Sequence, residues 1–239
     1  MESNFLGKVI SIAGGAGGLG RAITLLALGQ GARVVVPYLR EEEFASLERA
    51  AGDVQNQLAG FSTDVTDPAA AVKLVEQTLA RFGRLDGLVN AVGGYAGGIS
   101  LWKTDAATFN RMIDLNLRSA YALTHAAVPV LLAQKRGAIV NVSAKAAWDH
   151  AAGASAYAAT KAAAIALMDS LAADLRGTGV RVNSILPSII DTPANRQAMP
   201  DADFSQWPKP EDIAKVVLFL LSDEACVIHG ASIPVFGNA

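Results

Sequence analysis

The sequence is poor in cysteine, in charge and in long hydrophobic runs. Its single cysteine, Cys226, excludes a framework of internal disulfides and fits a reducing compartment. No run of about 18 apolar residues occurs, and the first residues do not combine a basic stretch with a long apolar one, so we expect a cytoplasmic protein without a membrane span. The formal net charge is −2, and no Lys/Arg cluster is interleaved with aromatic residues, so nucleic acid and anionic membranes are not expected partners.

Metal-binding patterns are also missing. The three histidines, His125, His150 and His229, stand apart, and none belongs to a Cys/His/Asp group with the spacing of metal ligands. We therefore expect no metal and a small molecule as the ligand.

The chain does contain a regular alternation of short β-branched runs and longer helical patterns. With 51% hydrophobic and 18% charged residues, 239 residues can bury one large core, so we expect one domain over residues 1–239. The expected strands are KVISIAG, ARVVVPY, LAGFS, DGLVNAV, GAIVNVS, VRVNSILP and ASIPVF. Helical patterns between most of them predict a doubly wound α/β fold that binds its ligand at the carboxyl ends of the strands.

The helical patterns include PAAAVKLVEQTLARF, a long region over 105–134, a stretch from about 154 to 176 and one near 210–221. The longest irregular segment, about 188–210, is expected to form a substrate lid, since long loops in compact domains are usually lids or disordered. Five side chains are candidates for an apolar pocket wall: Tyr95, Trp102, Met199, Phe204 and Trp207.

A glycine-rich turn, AGGAGGLG, ends the first expected strand. Missing Cβ atoms let the backbone turn sharply and let a diphosphate approach the N-terminus of the following helix. Two registers fit: Gly15, Gly17 and Gly20 give G-x-G-x-x-G, whereas Gly14, Gly18 and Gly20 give G-x-x-x-G-x-G. Both predict a phosphate-binding turn.

Tyr157 and Lys161 stand four residues apart in the alanine-rich stretch SAYAATKAAAIAL. On a helix this spacing puts both side chains on one face, one turn apart, so that an ammonium can lie beside a phenol. At roughly 5 Å and an effective dielectric constant of about 20, the positive charge favours the phenolate by about 3 kcal/mol. We therefore expect Lys161 to lower the pKa of Tyr157 toward the range of a general acid or base.

Together these motifs resemble the classical short-chain dehydrogenase/reductase family. G-x-x-x-G-x-G after the first strand is followed far downstream by Y-x-x-x-K, and further segments match in order along the whole chain: DV, DGLVN, DLNL, PSIIDT and HGASIPVFGN. The resemblance implies an α/β fold, a single-domain Rossmann-type doubly wound parallel sheet of about seven strands with helices on both faces. It also implies hydride transfer between NAD(P) and a carbonyl or alcohol.

The resemblance implies a role for each matching residue. Tyr157 gives a proton to the carbonyl oxygen, Lys161 stabilises the phenolate and holds the nicotinamide ribose, and Asn116 anchors a relay water. The residues implied to bind the cofactor are Gly14, Ala16, Gly18, Leu19, Gly20, Arg40, Asp64, Val65, Asn90, Ala91, Gly93, Tyr157, Lys161, Pro187, Ile190 and Thr192.

One catalytic position departs from the family pattern. The family's serine most often lies thirteen residues before the tyrosine, where this chain has Ala144. Either a loop longer by one residue lets Ser143 reach the substrate, or no serine takes part, as in relatives resembling dihydropteridine reductase. We assign the role to Ser143, because the segment NVS ends its strand as the family's serine segment does.

The end of the second strand bears on the choice of cofactor, because NAD users place an acidic residue there to bind the ribose 2′-hydroxyl. This chain has Tyr38, then Leu39 and Arg40, with the first acid at Glu41. Arg40 can pair with a 2′-phosphate, so we expect NADP(H) to be favoured over NAD(H). An ion pair of Arg40 with the glutamates that follow it is the alternative.

The sequence therefore predicts a reductase or dehydrogenase for a small or medium, largely apolar ketone or alcohol. A non-catalytic dinucleotide-binding redox sensor is the alternative, and Ala144 is its supporting feature. A methyltransferase with a related glycine turn would leave the Tyr/Lys pair unexplained. The alanine-rich helical regions 105–135 and 154–176 allow close helix contacts, and by resemblance we expect a homo-oligomer, a tetramer or dimer.

Overall fold

A computed structural model of the protein describes residues 5–238. Within this range the strands are β1 (Val9–Ala13), β2 (Arg33–Tyr38), β3 (Leu58–Ser62), β4 (Gly87–Asn90), β5 (Gly137–Val142), β6 (Val180–Pro187) and β7 (Ser232–Val235). They form one sheet in the order β3-β2-β1-β4-β5-β6-β7, and every neighbouring pair is parallel. The predicted doubly wound parallel sheet is confirmed.

Helices cover both faces of this sheet. They are α1 (Gly18–Gly29), α2 (Glu41–Ala51), α3 (Pro68–Phe82), α4 (Ala106–Ile113), α5 (Ser119–Gln134), α6 (Ser155–Asp174), α7 (Pro193–Ala198) and α8 (Pro210–Leu221). One hydrophobic cluster contains buried residues of α1, α2 and α8, and a second contains those of α3, α5 and α6. Each fully buried Leu or Ile in these clusters contributes about 1.5–3 kcal/mol.

The ends of α3 show how directly the sequence determines some elements. Asp67 caps the helix by accepting a hydrogen bond from the Ala69 amide, and Pro68 occupies the first turn. Gly83 ends the helix in the left-handed conformation, with φ of 78°. These are the start and stop signals that favour a helix over this segment.

The long helical region predicted over 105–134 is not one regular helix. A turn of π-helix over Asp114–Arg118 joins α4 to α5. Such a turn shifts the register of the side chains, and π-turns inside helices are frequent at functional sites. Here the turn carries Asn116, which is buried.

The segment over 188–210, expected to be irregular, contains the short helix α7. Thr192 caps this helix by accepting from the Asn195 amide, and Pro193 follows the cap. A capping residue followed by proline is a helix signal, and the expectation of an irregular segment did not take it into account. Among residues 5–238, none of the helices is long and apolar enough to cross a membrane.

The sheet order places the functional segments at one edge. Because all strands are parallel, their carboxyl ends lie at the same edge, and the order reverses between β1 and β4. A crevice at such a point is the usual ligand site of doubly wound sheets. The glycine turn follows β1, Asn90 ends β4, Ser143 follows β5 and Pro187 ends β6.

Candidate active site

The glycine turn packs its backbone tightly against the start of α1. Gly14 has φ of +77°, and a Cβ there would lie 2.8 Å from the carbonyl carbon of Ala91. A Cβ at Gly20 would lie only 2.0 Å from the Gly14 carbonyl oxygen. Both positions therefore require glycine, one for its backbone angle and its neighbour, the other for the close approach of helix and turn.

This turn fits a dinucleotide diphosphate. The N-cap of α1 is Gly17, whose lack of a side chain leaves the first helical N–H groups without a side-chain cap, and the first turn of α1 carries no acid. Free N–H groups and the positive end of the helix dipole suit an anion. Ala16, half-buried, and Gly18, exposed, lie in the same turn.

Two of the predicted cofactor-binding residues have side chains that pack in the hydrophobic core. Leu19 is 8% exposed and packs in the core cluster with α8, and Val65 is 6% exposed and packs in the cluster with α3. Only their backbone is available to a ligand. Asp64 is exposed, and its carboxylate accepts hydrogen bonds from the amide and the hydroxyl of Thr66 at 2.9 and 2.7 Å.

The ends of β1, β4 and β5 are tied together beside the turn. The Ala91 amide donates to the Ala13 carbonyl over 2.9 Å, and the Asn90 side chain donates to Asn141 Oδ1 over 3.1 Å. Asn90 Oδ1 also accepts from the Val92 amide over 3.2 Å. Asn90 and Ala91 therefore fix the strand ends that border the crevice.

The end of β2 carries an aromatic pair and an exposed ion pair. Tyr38 stacks on Phe44 with ring centroids 4.9 Å apart. The Arg40 guanidinium pairs with Glu43, and its side chain is 73% exposed. Arg40 thus has the partner that the alternative interpretation expected, although an ion pair this exposed is weak and exchanges readily.

Tyr157 and Lys161 lie in α6, as the spacing predicts, but they do not bond to each other. Lys161 is 5% exposed, and its Nζ donates to the Val142 carbonyl over 2.9 Å. Tyr157 is half-buried, and its ring meets the Tyr95 ring edge-on, with centroids 5.0 Å apart and an interplanar angle of 78°. A carbonyl, rather than the phenol, takes the lysine's hydrogen bond.

The electrostatics of this pair contradict the sequence-based expectation. Burial, and after it the charge of an ionised Tyr95, raise the pKa of Tyr157 to about 12. Burial lowers the pKa of Lys161 to about 8. The expectation that Lys161 lowers the pKa of Tyr157 is therefore wrong for this structure, because burial dominates the pKa of both groups.

Asn116 links the π-turn to the loop after β4. Its Nδ2 donates to the Gly94 carbonyl over 3.1 Å, and its Oδ1 accepts from the Gly94 amide over 3.0 Å. A Cβ at Gly93 would lie 2.9 Å from Asn116 Oδ1 and 3.0 Å from Lys161 Nζ. Glycine at position 93 therefore lets the asparagine and the lysine approach the same backbone segment.

The Ser143 side chain is buried and forms a hydrogen bond with the backbone of α6. It is 3% exposed, and its Oγ donates to the Lys161 carbonyl over 2.9 Å. This hydrogen bond connects the end of β5 to α6 and occupies the hydroxyl proton. Ala144, also buried, has no hydroxyl to offer. This geometry favours the alternative in which no serine completes the site.

The segment after β6 closes one side of the crevice. Thr192 caps α7, and its methyl group lies 2.9 Å from the place that a Cβ on Gly18 would occupy. Ile190 is half-buried against the α1 side of the core, and Pro187 is buried. Arg196 fastens the segment through two hydrogen bonds to Asp191, of 2.5 and 2.9 Å, and lies 4.6 Å from the Phe204 ring.

Within the part of the chain that the structure describes, no group of three or more His, Cys, Asp or Glu side chains is arranged to hold a metal ion.

Comparison with known proteins agrees with the fold. A family model described as Enoyl-(Acyl carrier protein) reductase matches residues 14–237. The chain is 33% identical to a 3-oxoacyl-(acyl-carrier-protein) reductase of Thermotoga maritima, over 97% of each chain. It is 35% identical to 2-(S)-hydroxypropyl-CoM dehydrogenase 3 of Xanthobacter autotrophicus, over 100% of this chain and 98% of the other.

Solved structures give the same result. ElxO with NADP bound superposes with a TM-score of 0.91 at 25% identity, over 96% of this chain and 97% of that one. Levodione reductase superposes with a TM-score of 0.91 at 26% identity, over 98% and 97%. The chain belongs to the short-chain dehydrogenase/reductase family, and it is an NAD(P)-dependent oxidoreductase.

Proposed function

We propose that the protein reduces a ketone, or oxidises the corresponding alcohol, with Tyr157 as the general acid and base. The observation that carries the proposal is that Tyr157 and Lys161 lie on α6, with Lys161 Nζ bonded to the Val142 carbonyl at the carboxyl end of β5. A bound nicotinamide supplies hydride to the carbonyl carbon, or accepts it from the alcohol, when the turn and the segment after β6 hold the dinucleotide.

Tyr157 supplies the proton. As hydride reaches the carbonyl carbon, the π electrons pass to oxygen, and the phenol proton moves to that oxygen. A phenol whose pKa is about 12 is fully protonated at neutral pH and is still a far stronger acid than an alcohol. The raised pKa thus suits reduction at neutral pH, while alcohol oxidation needs the phenolate and gains rate as the pH rises.

Lys161 and Asn116 restore the proton to Tyr157 in this proposal. The Lys161 ammonium is one helical turn from Tyr157, and it shares the Gly93 backbone segment with Asn116. A buried amine whose pKa is about 8 can give up a proton near neutral pH more readily than an ordinary lysine. Asn116 would then hold the water that passes a proton inward.

The chemical class of the substrate is drawn from the relatives. Their names include a 3-oxoacyl-(acyl-carrier-protein) reductase, a 2-(S)-hydroxypropyl-CoM dehydrogenase and a 2,5-dichloro-2,5-cyclohexadiene-1,4-diol dehydrogenase. We propose a small or medium, largely apolar ketone or secondary alcohol. The segment 188–210 is the lid over this substrate, and residues 1–239 form one dinucleotide-binding domain.

The experiment for this proposal measures oxidation of NADPH and NADH with a broad panel of ketones, and reduction of the oxidised cofactors with matching alcohols. We expect at least one ketone to be turned over. A redox sensor is the second candidate, supported by Ala144 and by the occupied hydroxyl of Ser143. It requires cofactor binding without turnover of any carbonyl.

NADP(H) is the proposed preferred cofactor. The ribose position at the end of β2 is Tyr38 rather than an acid, and Arg40 is exposed. ElxO, the similar structure, was solved with NADP bound. We expect Arg40→Ser to weaken NADPH binding about tenfold, because one charge-assisted bidentate contact is lost, and to leave NADH binding within about twofold. Fluorescence titration measures both dissociation constants.

The matched control for Arg40→Ser is Arg49→Ser, which removes an exposed arginine from the other end of α2. It should change neither dissociation constant. Tighter binding of NADH than of NADPH by the unaltered protein would refute the preference.

A homotetramer is the proposed assembly, with a dimer as the smaller alternative. The outer face of α5 exposes apolar groups, among them Tyr121 at 45% and Leu132 at 39%, and Tyr121 stacks on His125 with centroids 5.5 Å apart. A helix face of this kind is suited to a partner helix. Multi-angle light scattering should give four times the mass of the chain, and a monomer would dismiss the proposal.

A cytoplasmic location is proposed because the single cysteine is a free thiol. Cys226 is exposed and unpaired, as is usual for a thiol in a reducing compartment.

A further inference from the structure

The proposed chemistry leaves one hydrogen-bond donor unaccounted for. An oxygen that gains negative charge in a dry site is usually bound by two donors, and Tyr157 provides one. Ala144 has no hydroxyl, and the Ser143 hydroxyl donates to the Lys161 carbonyl over 2.9 Å. The second donor must therefore come from another part of the crevice.

Tyr95 lies directly beside Tyr157. The two rings meet edge to face at 5.0 Å between centroids, and Tyr95 is 68% exposed. Among residues 5–238, no group forms a hydrogen bond with the Tyr95 hydroxyl. A phenol next to the acid, exposed and with its proton unused, has what the missing donor needs.

We infer that Tyr95 is a catalytic residue that donates the second hydrogen bond to the reacting oxygen, in the place of the absent serine. This inference rests on the proposed function. Tyr95 keeps its proton throughout, whereas Tyr157 transfers its own. The hydrogen bond strengthens as charge develops on oxygen, so it acts on the transition state more than on the bound substrate.

The loop that carries Tyr95 is built to hold it there. The loop reads GGYAGG, with a glycine pair on each side of the tyrosine. On the first side, Gly94 is clasped by Asn116 through hydrogen bonds of 3.0 and 3.1 Å. On the second side, a Cβ at Gly97 would lie 1.9 Å from the Tyr95 hydroxyl oxygen. The phenol therefore packs against Gly97, and a side chain at position 97 would displace it.

Electrostatics support this proximity. After burial, which is the larger cause, the charge of an ionised Tyr95 raises the pKa of Tyr157, as expected for two groups at short range. Asn116 is then a positioning residue for Tyr95, through its two hydrogen bonds to Gly94, as well as part of the proton path.

The test compares three variants with a ketone that the panel has identified as a substrate. Tyr95→Phe keeps the ring and removes the hydroxyl, and we expect kcat to fall about a hundredfold while KM changes by less than about threefold. Gly97→Ala must displace the far end of Tyr95, and we expect kcat to fall about tenfold. Gly29→Ala, which adds a methyl group where nothing lies within 4 Å, should leave both constants unchanged.

Several outcomes separate the inference from the proposed function. If Tyr157→Phe is inactive and Tyr95→Phe keeps kcat within about twofold, the inference is overturned and the proposed function stands. If Tyr157→Phe also retains its turnover, the proposed function itself fails. A hundredfold loss in Ser143→Ala together with an undiminished Tyr95→Phe would return the role to the serine.

A spectroscopic titration tests the contact without turnover. Phenolate absorbance of the protein, with the Tyr157→Phe spectrum subtracted, reports ionisation of Tyr157. In a Tyr95→Phe background the pKa of Tyr157 should fall, because the charge of an ionised Tyr95, which helps to raise it, has been removed. An unchanged Tyr157 titration would show that the two phenols do not interact, and would overturn the inference.

Discussion

Lys161→Met is expected to reduce kcat/KM by about a thousandfold or more without lowering the melting temperature at pH 7. The loss of activity follows from removing the cation of a general acid site. The unchanged or raised melting temperature follows from burial. Lys161 is 5% exposed and its pKa is lowered to about 8, so the fold bears the cost of a desolvated charge that methionine does not carry.

The buried charge of Lys161 should also make the stability of the protein depend on pH. Between about pH 8 and 10.5 the unfolded chain keeps the lysine proton that the folded chain releases, so stability from this group rises with pH, by about 3 kcal/mol in all. Lys161→Met should lack this rise. Lys73→Met, on the exposed surface of α3, is the control for both measurements. A melting temperature lowered by more than about 5 °C in Lys161→Met would show that the hydrogen bond from Lys161 to the Val142 carbonyl stabilises the fold more than the buried charge destabilises it, and would contradict this prediction.

Gly20→Ala is expected to abolish cofactor binding and to destabilise the fold. The added Cβ would lie 2.0 Å from the Gly14 carbonyl oxygen and 2.9 Å from Gly15 Cα, both of them backbone atoms. Overpacking that must displace backbone costs about 3 kcal/mol or more. Displacing the turn by about 1 Å should weaken dinucleotide binding by at least about a hundredfold. Calorimetry measures both quantities.

Gly29→Ala is the matched control for Gly20→Ala, because it lies at the other end of the same helix. Nothing lies within 4 Å of a Cβ at Gly29. Alanine should therefore leave cofactor binding unchanged and stabilise the protein by up to about 1 kcal/mol. Equal behaviour of the two variants would show that the turn does not depend on Gly20.

Much of the fold could be predicted from local signals. Most strands follow from runs that contain Val or Ile, although β3 (Leu58–Ser62) has no β-branched residue, and α3 follows from Asp67, Pro68 and Gly83. The π-turn at Asn116 was not predicted, because the spacing of DLNL carries no signal for it; the turn brings Asn116 to Gly94, which is distant in sequence. The short helix α7 did have a local signal, in Thr192 and the proline that follows it.

The sequence predicted which residues share a helix, but it did not predict the direction of their pKa shifts. The spacing placed Tyr157 and Lys161 on one helix, but the directions of their pKa values depend on burial, which no spacing reveals. The hydrogen bond of Ser143 likewise depends on how β5 meets α6. Tyr95 was assigned only to a pocket wall, although a tyrosine between two glycine pairs is a recognisable signal of a closely fitted loop.

The most direct test of the proposed activity pairs turnover with cofactor binding in Tyr157→Phe. We expect the unaltered protein to oxidise NADPH with at least one ketone of the panel. Tyr157→Phe should bind NADPH with an affinity within about threefold and lose about a thousandfold or more of kcat, since only the phenol proton is removed. Turnover by Tyr157→Phe equal to that of the unaltered protein, or inactivity of both with cofactor bound, would contradict the proposed role of the tyrosine.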